Sequence, residues 1–277
     1  MSNGEQIGPA SEPVVTETPP AEHPAAEPVS VTTPVARKAI LSDWLSGIQW
    51  LAFTVTIALF VITFLLQAFQ IPSESMENTL LVGDYLLVDK VHYGHGGVWN
   101  WMLPYSQIHD GDIIVFRYPV NPTQHFVKRV IGVPGDHIRM FRGRVFVNEH
   151  LVNDSAYAIH QQHDFDSYRD NFPDGNYISP EVDSSWWIEM HKDIHDGELV
   201  VPPREYFVLG DNRDDSLDSR YWGFVPRGNI IGRPLLIYWS VERRDDLAGN
   251  GKLDSLLDTL VHLPEDARWH RTFHLVR

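Results

Sequence analysis

The longest apolar segment of the chain runs from Ile48 to Phe69, and its 22 residues include no charge. A helix rises about 1.5 Å per residue, so a helix of this length crosses a hydrocarbon core of about 30 Å. A cleavable signal peptide fits less well, because the segment is too long, begins far from the N-terminus and lacks an Ala-x-Ala exit. The pattern therefore predicts one transmembrane helix, with a buried core helix as a minor alternative.

Beyond Gln70, the apolar positions form short runs rich in β-branched and aromatic residues, separated by Gly, Pro or Asp. Such runs predict strands, here at 85–88, 112–116, 126–131, 144–147, 206–209 and 235–239. Since no helical pattern lies between them, a mainly β, antiparallel fold is favoured over βαβ units. The pattern breaks from His150 to Val200, which predicts an irregular insertion over the main sheet.

These patterns divide the chain into a disordered cytoplasmic tail at 1–38, the transmembrane helix with its flanks at 39–70, a β core at 71–141 and 203–277, and an inserted extracytoplasmic subdomain at 142–202. The tail is rich in Pro, Ala, Thr and Glu, so little in it offsets the entropy of ordering. Arg37 and Lys38 precede the helix, and this bias places the N-terminus in the cytoplasm. A single-pass protein of the cell membrane is predicted.

Composition narrows the chemistry that the chain can perform. A net charge of −15 without a Lys/Arg cluster argues against nucleic acid as a partner. The absence of cysteine excludes disulfides, a thiol nucleophile and Cys-based zinc sites, so a covalent catalyst must use oxygen or nitrogen. His pairs at 160–163 and 191–195 have metal-ligand spacing but no clear third ligand; we interpret them as solvated surface histidines and predict no metal.

Three motifs carry candidate chemistry. Ser73-Glu74-Ser75-Met76 follows the apolar segment closely, which holds two hydroxyls near the membrane surface. Strand alternation places Phe126 and Val130 on the same face as Lys128, and desolvation there would lower the lysine pKa until its amine could accept a proton from serine. Taken alone, Lys128 fits an edge-strand lysine with its stem packed and its head in water better, and only the surrounding motifs favour the proton acceptor. The third motif, 210–223, is too dense in acids, hydroxyls and arginines for an ordinary turn, and it lacks the glycine and glutamate positions of a calcium loop.

With these motifs in order, the chain resembles the type I signal peptidases, membrane-anchored Ser-Lys proteases that remove signal peptides from exported proteins. The resemblance rests on four blocks: the serine block at 71–84, the strand block at 110–119, the lysine block at 126–136 and the Gly-Asp-Asn-Arg-Asp block at 210–226. Four ordered blocks directly after a spanning helix are far more specific than one Ser-x-Ser-Met motif. The resemblance implies a signal-peptidase-like antiparallel β core.

Carried over by position, the resemblance implies that Ser75 is the nucleophile and Lys128 the general base. Ser73, with the backbone of Ser75, would stabilise the oxyanion, and Ser216 would orient the lysine. It further implies ion-pair support from Arg129, Asp211, Asp218 and Arg220, and substrate pockets at Ile71 and Val127.

The implied reaction is cleavage of preproteins after small residues, at Ala-x-Ala sites, through an acyl-enzyme and without a cofactor. Preproteins and the lipid bilayer are the expected partners, with the export machinery as a further candidate. Glu74 stands where the family commonly has a small residue, and Asp215 replaces a frequent asparagine. A carboxylate at 215 that faced Lys128 would favour its ammonium form.

Two rival interpretations remain. A self-cleaving regulator of the LexA type shares the Ser-Lys pair, but it is cytoplasmic and carries a DNA-binding module, which the spanning helix and the acidic charge oppose. A membrane-anchored β domain could instead bind partners through its Trp-rich insertion, including Trp186 and Trp187. That interpretation requires the serines and the lysine to be coincidental.

Overall fold

A computed structural model describes residues 35–91, 93, 106–160, 165–174, 177–242 and 266–276. Of the predicted tail at 1–38, positions 1–34 lie outside the described residues. By their contacts the residues divide into two units at Ala52 and Phe53, inside the first helix, and the site described below lies wholly in the second unit.

The helical part of the chain begins with α1 (Val35–Phe60), which continues as a π-helical turn (Val61–Leu65). Trp44–Thr63 is long and apolar enough to cross a membrane, and its apolar side chains are exposed. Three short helices follow, α2 (Ser167–Asp170), α3 (Ser184–Met190) and α4 (Ser219–Trp222).

The described residues also form thirteen strands, numbered in chain order: β1 (Leu66–Gln70), β2 (Asp84–Asp89), β3 (Ile113–Arg117), β4 (His125–Gly132), β5 (His137–Phe141), β6 (Arg144–Val147), β7 (His150–Leu151), β8 (Ile194–His195), β9 (Glu198–Val200), β10 (Glu205–Leu209), β11 (Val225–Pro226), β12 (Ile230–Ser240) and β13 (His274–Leu275). Two 3₁₀ turns, Glu74–Met76 and Arg227–Asn229, complete the elements.

The strands form two sheets in which every ladder is antiparallel, which confirms the mainly β prediction. The larger sheet has the order β1-β2-β12-β3-β4-β10-β11, with β13 also pairing β12, and the smaller has the order β7-β6-β5-β9-β8. The order places β4, which carries Lys128, in the middle of the larger sheet between β3 and β10. A lysine on a central strand has less access to water than one on an edge.

The prediction of a helix as far as Phe69 was wrong at its C-terminal end. Leu66–Gln70 instead pairs with Tyr85–Asp89 of β2. An apolar run favours helix and strand alike, and here the ladder with β2 satisfies the backbone after the helix ends. Because a strand rather than a helix leads into Ser73, the sheet itself carries the chain to the serine motif.

Strand β12 is longer than the predicted 235–239, since it begins at Ile230. Gly232 and Pro234 lie in the added part, and both residues normally weaken a strand signal. The ladder to β2 shifts register between Pro234 and Leu236, so the strand accommodates the missing N–H at a bulge.

The segment predicted as an irregular insertion contains β6 to β9 as well as α2 and α3. Strand β5, which the prediction assigns to the core, pairs with β6 and β9 of this segment. Trp186 is buried and donates a hydrogen bond from Nε1 to the carbonyl of Arg220, so it packs in the core rather than offering a binding surface. The four-part division of the chain stays a prediction.

Candidate active site

The serine motif lies in the connection between β1 and β2, residues 71–83, here called the serine turn. Ile71, Met76 and Leu80 are buried under it, and the backbone N–H of Ile71 donates to the carbonyl of Asp84 at 2.9 Å. Gly83 closes the turn with φ +88°, where a Cβ would lie 2.0 Å from the carbonyl oxygen of Val241. Apolar packing thus holds the turn from below. At its end lies a glycine that no other residue can replace without strain.

Ser75 and Lys128 meet at the surface of this turn. Lys128 Nζ lies 2.5 Å from Ser75 Oγ, although the two residues are 53 positions apart. Ser73 Oγ lies 3.4 Å from Ser75 Oγ, on the exposed side. The structure therefore brings together the three residues that the resemblance places at the reacting centre.

Lys128 is 3% exposed, and its amine lies 5.8 Å from the ring centre of Phe126. Burial is the main reason that its pKa is lowered from 10.5 to about 8. Asp218 opposes this shift, Arg220 adds to it, and Asp211 and Asp215 oppose it further. About a tenth of such a lysine is neutral at pH 7, enough to supply a proton acceptor.

The loop after β10 packs directly on the serine turn. The backbone N–H of Asn212 donates to the carbonyl of Ser75 at 3.1 Å. A Cβ at Gly210 would lie 2.4 Å from that same carbonyl oxygen and 2.2 Å from Ser216 Oγ. Glycine at this position therefore allows the loop to approach Ser75 closely.

Ser216 is buried beside Gly210, but within the described residues its Oγ has no hydrogen-bond partner. The hydrogen bond to Lys128 implied by the family resemblance is thus not formed in this structure. Asp215 is exposed, and it is the last of the groups that affect the Lys128 pKa. The role of Ser216 stays a prediction.

Two buried, bidentate ion pairs flank Ser75 and Lys128. Arg129 donates from Nε and Nη2 to Asp211, both at 2.8 Å, and Arg220 donates in the same way to Asp218, also at 2.8 Å. Burial disfavours the Asp218 carboxylate, but the Arg220 guanidinium outweighs it and holds the pKa of that carboxyl below its ordinary value. These four residues are the ones predicted to support the site.

A cavity of about 310 Å³ opens next to Ser75 and Lys128. Ile71 and Val127, the predicted pocket residues, both line it. The cavity is also lined by residues to which no pocket role was assigned: Phe69, His125, Phe126 and Leu217. Phe69 lies in the segment predicted as helix, where the apolar run contains no alternation that would indicate a strand. Leu217 directly follows Ser216, but loop residues have no periodicity that would predict their direction.

Within the described ranges, no three His, Asp or Glu side chains come together as a metal site would require. His191 donates a hydrogen bond from Nδ1 to the carbonyl of Trp187 at 2.6 Å. Part of the 160–163 pair lies outside the described residues.

A half-buried serine beside a buried lysine, in an apolar cleft on an antiparallel β protein, is the arrangement of a serine hydrolase. Comparisons with known proteins make the class specific. The family model described as signal peptidase, peptidase S26, matches residues 44–239, and this chain belongs to that family. It is a serine endopeptidase that cleaves signal peptides from preproteins.

The relatives cover most of the chain. Signal peptidase I of Aquifex aeolicus is 36% identical over 212 residues, which are 66% of this chain and 79% of the relative. Signal peptidase I of Leptolyngbya laminosa is 34% identical over 245 residues, 86% and 95% of the two chains. A crystal structure of a signal peptidase I from Enterococcus faecalis aligns with 46% of this chain and 97% of its own, at 25% identity and a TM-score of 0.29. Family membership excludes the two rival interpretations, and signal peptidase I homologues are membrane-associated, in keeping with the apolar helix.

Proposed function

We propose that Ser75 is the nucleophile and Lys128 the general base of this peptidase, and that it cleaves preproteins after small residues through an acyl-enzyme. The observation that carries the proposal is the 2.5 Å approach of a buried lysine amine to the Ser75 hydroxyl. A surface lysine would remain an ammonium ion, whereas burial leaves this one with a pKa of about 8.

In the first half-reaction, neutral Lys128 takes the Ser75 proton while Oγ attacks the scissile carbonyl carbon. The backbone N–H of Ser75 and the hydroxyl of Ser73 would donate hydrogen bonds to the oxyanion that forms. The 3.4 Å distance between Ser73 Oγ and Ser75 Oγ supports this role for Ser73. When the tetrahedral intermediate collapses, the C–N bond breaks and the Lys128 ammonium gives its proton to the leaving amine.

In the second half-reaction, Lys128 is neutral again and removes a proton from water, which attacks the ester formed with Ser75. The new carboxylate leaves, and the proton returns to Ser75 Oγ. Every step uses oxygen and nitrogen groups of the chain, in agreement with a sequence that has no cysteine. We propose Ser216 as the residue that orients the Lys128 amine, as the family resemblance implies. A buried hydroxyl without a hydrogen bond costs about 1–3 kcal/mol, so a hydrogen bond to the amine during the reaction would relieve that cost.

Preference for small apolar residues is supported by the lining of the cavity. Ile71 and Val127 line the space beside the serine, and apolar walls suit the methyl group of alanine. We propose that the substrate lies there as an extended strand, since main-chain hydrogen bonds would hold it without regard to most of its side chains. An N-terminus in the cytoplasm, contact with the bilayer and association with the export machinery remain proposals, the first supported by Arg37 and Lys38.

The experiment that tests the nucleophile is covalent trapping. An acylating probe selective for serine, added to the detergent-solubilised full chain, is expected to label one peptide, and mass spectrometry should place the label on Ser75. Excess preprotein should protect against labelling, because it occupies the same cleft. Labelling of Ser73 in place of Ser75, or labelling that survives in Ser75→Ala, would contradict the assignment.

The pH dependence of cleavage follows from the lysine. Since only neutral Lys128 can accept the proton, kcat/KM is expected to rise with pH through a pKa of about 8. The Asp215 carboxylate raises that pKa, so Asp215→Asn should move the rise to lower pH. Because Asp215 is exposed, the shift should shrink at high salt.

The matched control is Asp110→Asn, an exposed turn aspartate that is not among the groups acting on Lys128. Its kcat/KM profile should coincide with that of wild type. An Asp215→Asn profile that also coincides with wild type would remove Asp215 from the account.

A further inference from the structure

Residues 154–160 of the predicted insertion, here called the docking arm, pack against the loop that contacts Ser75. The backbone N–H of Ile159 donates to the carbonyl of Asp211 at 2.8 Å, and the N–H of Arg213 donates to the carbonyl of Ile159 at 3.0 Å. Ile159 and Asn212 thus form a parallel bridge. Since Asn212 donates on to the carbonyl of Ser75, the loop lies between the docking arm and the nucleophile.

Side chains strengthen this contact. Asp154 Oδ2 lies 2.6 Å from Arg213 Nη1. The ring of Tyr157 covers the guanidinium of Arg129, with the Cζ atom 3.9 Å from the ring centre. That guanidinium is the one that holds Asp211 in a bidentate pair, so the ring shields a buried ion pair from water on one side.

The docking arm also touches the serine turn directly. Asn78 Nδ2 donates to the carbonyl of Tyr157 at 3.1 Å. From the same turn, Thr79 Oγ1 donates to Asp211 Oδ2 at 2.5 Å. The arm, the loop and the turn therefore form a closed set of contacts, in which each of the three is hydrogen-bonded to the other two.

We propose that the docking arm is a clamp that fixes the position of Ser75 relative to Lys128, with Tyr157 and Asn78 as its positioning residues. This rests on the proposed function, in which those two residues react. Ser75 lies on the serine turn and Lys128 on β4, which are far apart in sequence, so the distance between Oγ and Nζ depends on how the turn is held against the strand. The clamp contacts both, because it is bonded to Asn78 of the turn and stacks on Arg129, the neighbour of Lys128 on β4. No arm residue lines the substrate cavity, so the clamp acts on the chemical step rather than on substrate binding.

The test compares Tyr157→Ala with Tyr157→Phe in the detergent-solubilised full chain, using a purified preprotein as substrate. Displacements on the order of 1 Å at a reacting pair cost up to ~100-fold, so Tyr157→Ala should lower kcat by about tenfold or more. KM should stay within about twofold of wild type, since binding the substrate uses other residues. Tyr157→Phe keeps the ring over Arg129 and should restore most of kcat. Tyr177→Ala, an exposed tyrosine of the same insertion, is the matched control and should behave as wild type.

A kcat for Tyr157→Ala equal to wild type would overturn the clamp, and so would an equal loss in Tyr157→Phe, which would assign the effect to the hydroxyl. If Tyr157→Ala does not fold, Asn78→Gly decides in its place. Asn78 has φ +83°, which glycine adopts freely, so this change removes the hydrogen bond without adding strain. It should lower kcat with KM unchanged, and wild-type kcat would overturn the clamp.

Ser75→Ala is run alongside: its retention of activity would count against the proposed function itself, whereas an inactive Ser75→Ala beside fully active clamp variants would count against the clamp alone.

Discussion

Replacing Lys128 by methionine is expected to lower kcat for preprotein cleavage by about 10²–10⁴ while leaving the protein folded. A general base contributes a factor of that size. Methionine has a similar length and no charge to desolvate, and the Lys128 side chain is 3% exposed, so methionine should fit where the amine now lies. Substrate binding should persist, which places the loss in kcat rather than in KM.

Two controls separate loss of the base from loss of structure. Lys128→Arg keeps the positive charge but cannot give it up near neutral pH, so it should be as inactive as the methionine variant. Lys192→Met makes the same substitution at an exposed lysine and should retain wild-type activity. Thermal unfolding of all three variants should show that the methionine protein is folded. A folded Lys128→Met protein that retains a tenth or more of wild-type kcat would contradict the role of the lysine.

Removing Asp218 is expected to destabilise the protein by about 3–5 kcal/mol, the usual cost of leaving a buried charge without its partner. Asp218 is 0% and Arg220 1% exposed, and the carboxylate also accepts from the backbone N–H of Gly210 at 3.1 Å. Asp218→Ala would therefore leave Arg220 charged in a site that water does not reach. It would also loosen Gly210, the glycine that packs on Ser75.

Chemical unfolding of the solubilised protein measures this loss, with Asp110→Ala as the exposed control. The double variant Asp218→Leu/Arg220→Met should recover much of the stability, because it removes both charges. The pKa of Asp218 is held below its ordinary value, so the stabilisation is present above the unfolded pKa of about 3.9 and is lost as pH falls through the lower folded pKa. A loss below about 1 kcal/mol would mean that the pair contributes little.

The main strands could be read from the sequence because each buries a regular apolar pattern. The predicted strand at 126–131 falls inside β4, and the one at 112–116 falls inside β3 except for Asp112. Ser75 and Lys128 could be found because the sequence blocks that contain them follow the apolar segment in the order typical of the signal peptidase family. Their approach to 2.5 Å depends on the pairing of strands far apart in sequence, which local pattern does not determine.

Elements that depend on tertiary contacts were missed or placed wrongly. Leu66–Gln70 has no polar break from the helix before it, and only its ladder with β2 makes it a strand. The docking arm contains no periodic apolar pattern; its position depends on Tyr157 stacking over Arg129 and on a single bridge at Ile159. The exposed position of Asp215 likewise follows from the loop conformation rather than from the residue order.

The most direct measurement of the central claim is cleavage of a purified preprotein with an Ala-x-Ala site by the detergent-solubilised full chain, beside Ser75→Ala. The N-terminal sequence of the released mature protein identifies the bond that is cut. The account predicts that wild type cleaves after the final alanine of the site and that Ser75→Ala, folded to the same extent, leaves the preprotein intact. Cleavage at that bond by Ser75→Ala, or a folded wild-type protein that leaves the preprotein uncut, would contradict it.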